Sequence, residues 1–156
     1  MIRHEDIHHL ALVATDLQRG MEEVGAVYGV TWTYPRHLRL GLRDSAGDRE
    51  VALSVVYSNQ GPLFLELFEA VPDTVWAASP HVNLHHIGVY VDDVGSEIER
   101  LEGLGLAIEA CSPPVAGRPP GWAYMKSPAA IRIEVLDAAG REANLRWARG
   151  EVLPGS

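Results

Sequence analysis

The chain has 156 residues, 21 acidic against 13 basic side chains, a formal net charge of −8 and 47% hydrophobic residues, which suits one globular unit or two small halves sharing a core. It is too apolar for a disordered chain, no apolar run reaches the roughly eighteen residues that cross a bilayer, and the acid excess argues against nucleic acid, whose phosphates need a concentrated basic surface. Its single cysteine, Cys111, excludes an internal disulfide and a cysteine zinc cluster.

The opening MIRHEDIHH has no signal-type apolar stretch, so a cytoplasmic location is expected. Alternation from Ile7 to Ala14 predicts a strand, and Asp16 behind it an N-cap, because a carboxylate there accepts the free N–H groups of a first helical turn. Leu17, Met21, Val24, Val27 and Tyr28 recur at three- and four-residue steps, which predicts a helix stopped at Gly29. Three extended segments follow, roughly Thr31 to Leu42, Glu50 to Tyr57 and Pro62 to Glu69, with a Gly/Asp-rich loop from Gly41 to Asp48. Arg36, Arg39, Arg43 and Arg49, interrupted by acids and apolar residues, read as a solvated region, and Val71 to Pro80 as a linker.

The same order then returns. A strand from Leu84 to Val91 leads to a cap at Asp93 and a helix through Val94, Ile98, Leu101 and Leu104, stopped at Gly105. Extended segments follow at Leu106 to Cys111, Trp122 to Lys126 and Ile131 to Asp137. The polar tail from Ala138 to Ser156, with Trp147 its large aromatic, reads either as a short helix packed back or as loose chain. IHHLALVATDL recurs as LHHIGVYVDDV with His9 and His86 offset by 77 positions, and FLELFEA is matched by RIEVLDA with Glu66 and Glu134 offset by 68. The expected fold is α+β: two βαβββ modules, 5–70 and 82–138, with a tail at 139–156, in one domain over 1–156. The difference between the two offsets gives the first copy a longer interior, assigned to the Gly41 to Asp48 loop.

Residues two apart on a strand share a face. Leu10, Leu12 and Ala14, like Ile87, Val89 and Val91, belong against the helices, which leaves His9 and His86 on the opposite face. Leu63, Leu65 and Leu67, like Ile131, Ile133 and Val135, leave Glu66 and Glu134 there too. If the copies pair about a pseudo-twofold axis, these four converge on one cavity. Buried carboxylates need a counter-charge, and a divalent cation supplies it while neutral imidazoles complete its shell. Nickel, cobalt, zinc, manganese and iron all accept this donor set. A lone His-His pair or strand glutamate is ordinarily a surface feature; matching positions in both copies argue for a site. His8 and His85, on the helix side, read as supporting residues, and His4, His37 and His81 as solvated.

On these residues the sequence resembles the vicinal oxygen chelate superfamily, which includes glyoxalase I, methylmalonyl-CoA epimerase, extradiol dioxygenases and the bleomycin- and fosfomycin-resistance proteins. The resemblance runs from Ile7 to about Asp137 and is most specific in IHHLALVATDL, FLELFEA, LHHIGVYVDDV and IRIEVLD. It implies a glyoxalase-like half-barrel with one divalent metal ion held by His9, Glu66, His86 and Glu134. With all four positions filled, as in glyoxalase I and the epimerase, it further implies proton abstraction next to a metal-chelated carbonyl. The implied protein is an isomerase, epimerase or lyase for a small-molecule carbonyl substrate, expected as a homodimer, its modules pairing within or between chains. Extradiol dioxygenases are similar in fold but usually lack an equivalent of Glu66, and binding-type resistance proteins generally lack the metal set. An iron-dependent oxygenase and a non-catalytic small-molecule binder are therefore the alternatives.

In the epimerase a glutamate on the corresponding strand is a base, which points to Glu50. Alternation through Ala52 and Ser54 puts Glu50 on the cavity face, with an exposed acid at a strand start as the competing reading. Glu134 is the second candidate base. The 68-residue offset pairs Ser54 with Trp122, Val56 with Tyr124 and Phe64 with Arg132. Phe64, Phe68, Tyr90, Trp122 and Tyr124 are then expected to line an aromatic pocket, against ordinary core packing. Arg118 and Arg132 are candidates for meeting a substrate carboxylate or phosphate.

Overall fold

The computed structural model describes residues 2–79, 84–115, 117–129 and 132–151; His81, Ile131 and residues 152–156 lie outside the described residues. Two modules follow one another as read: β1 (Ile7–Ala14), α1 (Leu17–Tyr28), β2 (Arg36–Asp44), β3 (Gly47–Tyr57) and β4 (Phe64–Glu69), then β5 (Leu84–Val91), α2 (Val94–Glu102), β6 (Ala107–Cys111), β7 (Trp122–Lys126) and β8 (Arg132–Asp137). A closing α3 (Arg141–Ala148) comes from the tail. Among the described residues no helix is long and apolar enough to cross a membrane.

Both caps form. The Asp16 carboxylate accepts the Arg19 N–H at 2.8 Å, and Asp93 accepts that of Ser96 at 2.9 Å. Gly29 ends α1 at φ +67°, in the left-handed region where a side chain is strained.

The eight strands make one curved sheet in the order β1-β4-β3-β2-β6-β7-β8-β5, closed on itself. Within each module the first and last strands run parallel, β1 with β4 and β5 with β8, and the modules join through antiparallel β1 and β5. On the opposite side they meet through a single pair, Arg43 with Cys111, so β1–β5 is the firm seam of the barrel and β2–β6 the loose one. Leu67 and Val56 pack outward with Leu12 and Ala14 beneath α1, and Val135, Ala123 and Met125 beneath α2. The inward faces carry Ala11, Leu53, Val55, Tyr57 and Phe68.

The segment Gly41 to Asp48 is not a loop. Strands β2 and β3, of nine and eleven residues against five and five in β6 and β7, run on to a tight turn from Asp44 to Gly47, while β6 and β7 are joined by a longer connection; the first module's extra length is spread over a longer α1, a longer connection after it and this hairpin. The hairpin's outer face carries the Arg39–Glu50 and Arg43–Asp48 pairs, both exposed enough to contribute little stability, whereas the Arg49–Asp44 pair is half-buried on the side of Leu42 and Val51. Arg36 also turns inward, toward the cavity, and unlike the others has no carboxylate partner among the described residues. The tail packs back: Trp147 is buried, and its indole N–H donates to the Tyr34 carbonyl at 3.2 Å.

Candidate metal centre

The histidine pairs sit on two β-bulges. In the β1–β5 ladder Ile7 faces Val89 while His9 faces Gly88, so His8 is the extra residue on β1. Ala11 faces His86 while Leu12 faces Leu84, so His85 is the extra residue on β5. A bulge breaks alternation, and all four imidazoles are buried on the inner side. The expectation that His8 and His85 face the helices is corrected accordingly. His8 packs against Tyr57, Phe64 and Tyr90, and His85 against Phe68 and Tyr124.

The donor atoms of His9, Glu66, His86 and Glu134 lie within 4.8 Å of one another, all four residues buried and all from one chain. The two Nε2 atoms stand 2.9 Å apart; each is 3.3 Å from Glu66 Oε2 and 3.2 Å from Glu134 Oε2. Donors bound at about 2 Å to one ion at right angles stand about 3 Å apart, so this spacing fits a shared first-row cation. Among the described residues Glu66 Oε2 has no hydrogen-bond partner, a costly state for a buried carboxylate oxygen unless a cation meets it. The electrostatics point the same way. Burial alone would push His86 down, yet Glu134 and Glu66 raise it to about 9; burial would push Glu134 up, yet His86 and His9 hold it below the usual carboxylate range.

Hydrogen bonds behind the cluster set the tautomers. His85 Nε2–H donates to the Val75 carbonyl at 2.8 Å, which leaves its Nδ1 to accept from His86 Nδ1–H at 2.7 Å, so Nε2 is the His86 nitrogen that faces the cluster and would give its lone pair to a bound cation. Burial, with His86 beside it, pushes His85 down to about 3, so it stays neutral in this relay. His9 is held by two neighbours of its Nδ1, His8 Nδ1 at 3.1 Å and the Tyr57 hydroxyl at 3.2 Å.

A cavity of about 160 Å³ opens above Glu66 and Glu134. Phe68, Trp122 and Tyr124 line it as expected, joined by Tyr57, Trp76 and Trp147. Phe64 and Tyr90 do not line it: both pack against His8, and the Tyr90 hydroxyl accepts from Asn144, itself a wall residue of the cavity. Glu50 faces away. Leu40 pairs with Val51 and Leu38 with Leu53 to form the inner surface, so Glu50, Ala52 and Ser54 point outward, and Glu50 is exposed beside Arg39. The 68-residue offset slips here by one residue, because Tyr57 faces Glu66 nine positions on, whereas Tyr124 faces Glu134 ten positions on. Tyr57, not Val56, is the counterpart of Tyr124.

Arg132 is occupied elsewhere, bonded to Glu109 at 2.6 Å and to the His85 carbonyl at 3.1 Å, and Arg118 is exposed on a loop. His4 and His37 are exposed. Tyr57, Trp76, Trp147 and Arg36 are the wall residues that sequence reasoning missed. Continuing the Val51, Leu53, Val55 alternation reaches Tyr57; Trp76 and Trp147 are lone large aromatics in a linker and a tail.

A family model described as the Glyoxalase/Bleomycin resistance protein/Dioxygenase superfamily matches residues 8–125. Among solved structures, a variant of Streptomyces coelicolor methylmalonyl-CoA epimerase in complex with 2-nitronate-propionyl-CoA aligns with a TM-score of 0.58 at 15% identity, covering 86% of this chain and 97% of that one. Methylmalonyl-CoA epimerase from Mycobacterium tuberculosis aligns with a TM-score of 0.57 at 11% identity, covering 92% and 97%. A mutant of 4-hydroxymandelate synthase from Streptomyces coelicolor gives 0.54 at 20% identity, covering 85% and 38%. At these identities the likeness is one of fold. No curated protein matches the sequence.

Proposed function

The chain belongs to the glyoxalase/bleomycin resistance protein/dioxygenase superfamily, and within it we propose a divalent-metal-dependent isomerase, epimerase or lyase that moves a proton next to the carbonyl of a small molecule. The observation that carries this reading is the convergence of two imidazole and two carboxylate donors beneath an aromatic cavity. His9, Glu66, His86 and Glu134 are the proposed ligands of one first-row ion. When bound, that ion would polarise a substrate carbonyl and stabilise the negative charge that develops on its oxygen.

The protein's own groups supply the rest. Glu134 is our assigned base, held ionised by His86 and His9 and lining the cavity; it takes the proton from the carbon next to the carbonyl and returns it, so the step is redox-neutral. Glu66 keeps its place beside both imidazoles. Aromatic walls exclude water, which strengthens every charge interaction inside and protects the carbanion-like species from stray protonation. Glu50, outside this cavity, takes no part.

A panel of 2-oxo acids, hemithioacetals and acyl thioesters in deuterated water, followed by proton NMR, tests this function. Exchange of the hydrogen next to the carbonyl, abolished by chelator and by Glu134→Gln, is the expected result. Oxygen consumption with iron and no exchange would favour an oxygenase, and neither activity a binding role.

A further inference from the structure

Arg36 is the only lysine or arginine lining the cavity among the described residues. Its guanidinium lies over the Trp147 ring, 5.0 Å from the centroid, a cation–π contact that holds the charge at the cavity wall without using its N–H donors. Its Nε is buried without a hydrogen-bond partner, and the side chain makes no ion pair among the described residues. The other arginines of its hairpin all have carboxylate partners. An unpaired cation in an aromatic enclosure is costly, and a ligand that brings the missing charge relieves it.

Charge and size then limit that ligand. Resting on the metal-centred reading above, the two carboxylates of Glu66 and Glu134 balance a divalent ion, so Arg36 carries the one uncompensated charge of the loaded site. A cavity of about 150 Å³ accepts a benzene ring, and this one is about 160 Å³ with six aromatic walls. We infer that the substrate is a small, singly charged anion with one ring or comparably flat apolar body, its anionic group on Arg36 and its oxygen-bearing end toward Glu66 and Glu134. Arg36 is thus the residue that selects acids over neutral compounds of the same shape.

The probes are phenylacetate and its uncharged isostere phenylacetamide, titrated calorimetrically into zinc-saturated protein, with zinc measured in the same samples. Phenylacetate is expected to bind at least tenfold tighter than the amide. Arg36→Gln should erase that preference while leaving amide affinity and zinc content unchanged, and Arg36→Lys should retain part of it, which separates lost charge from a damaged fold. Equal affinities in the wild type, or a preference that survives in Arg36→Gln, would overturn the inference. If the chain takes up no cation, the proposed function falls, and the acid–amide comparison on the cation-free chain still decides the role of Arg36.

Discussion

Gly88 faces His9 across the β1–β5 ladder, and a Cβ there would overlap the Cε1 and Nε2 atoms of the imidazole and stand 2.6 Å from Nδ1. The ring occupies the space a side chain would need. In the other module the same place, opposite His86, is held by Ala11, fully buried. The two halves of the site are thus alike in donors and unlike in clearance.

Gly88→Ala is therefore expected to push His9 out of the cluster, weakening zinc binding at least tenfold and costing about 1–3 kcal/mol through overpacking. Zinc titration and denaturant unfolding measure the two effects. Unchanged zinc affinity would mean that His9 does not need this position.

The Val75–His85–His86 chain presents the His86 lone pair, so His85→Phe, close in shape but without a relay, should lower zinc affinity about 10- to 100-fold with the fold retained. Competition against a chromophoric chelator reads this directly. A wild-type affinity would leave His85 a packing residue only.

The two candidate bases separate cleanly. Glu134→Gln should reduce exchange of the hydrogen next to the carbonyl by about 10²-fold or more, whereas Glu50→Gln should leave activity unaltered and stability within about 0.5 kcal/mol. Loss of exchange in Glu50→Gln would reverse the assignment.

Arg132, held by the Glu109 carboxylate, donates to the His85 carbonyl at the second bulge. Burial pushes the Glu109 carboxyl up, but Arg132 and Lys126 outweigh it and hold the group below its ordinary value. A carboxylate lowered on folding adds stability above its unfolded pKa of about 4.3 and loses it as the pH falls through the folded value. Glu109→Gln should accordingly unfold more readily than wild type at pH 7, with the gap closing below about pH 4. Thermal melts at both pH values check it, and a gap that persists in acid would assign the loss to packing.

Much of this architecture is legible in the chain. Alternation through β4 and β8, and through β1 and β5 from His9 and His86 onward, together with its recurrence, places His9, Glu66, His86 and Glu134 on one side before any fold is known. Alternation fails wherever one residue is inserted. The bulges turn His8 and His85 inward, and the one-residue difference between the β3–β4 and β7–β8 connections conceals Tyr57 as the partner of Tyr124. Trp76 and Trp147 reach the cavity from segments without periodicity, and Arg36 looks like its paired neighbours until the fold shows that it lines the cavity without a carboxylate beside it.

The central claim is a single cation held by four side chains of one chain. Elemental analysis of tag-free protein after loading and desalting tests it most directly, beside His86→Ala and Glu66→Gln. About one equivalent of a first-row ion in the wild type, with most of it lost from His86→Ala, is the predicted result. A wild type that retains no ion, or a His86→Ala variant that retains a full equivalent, would contradict it.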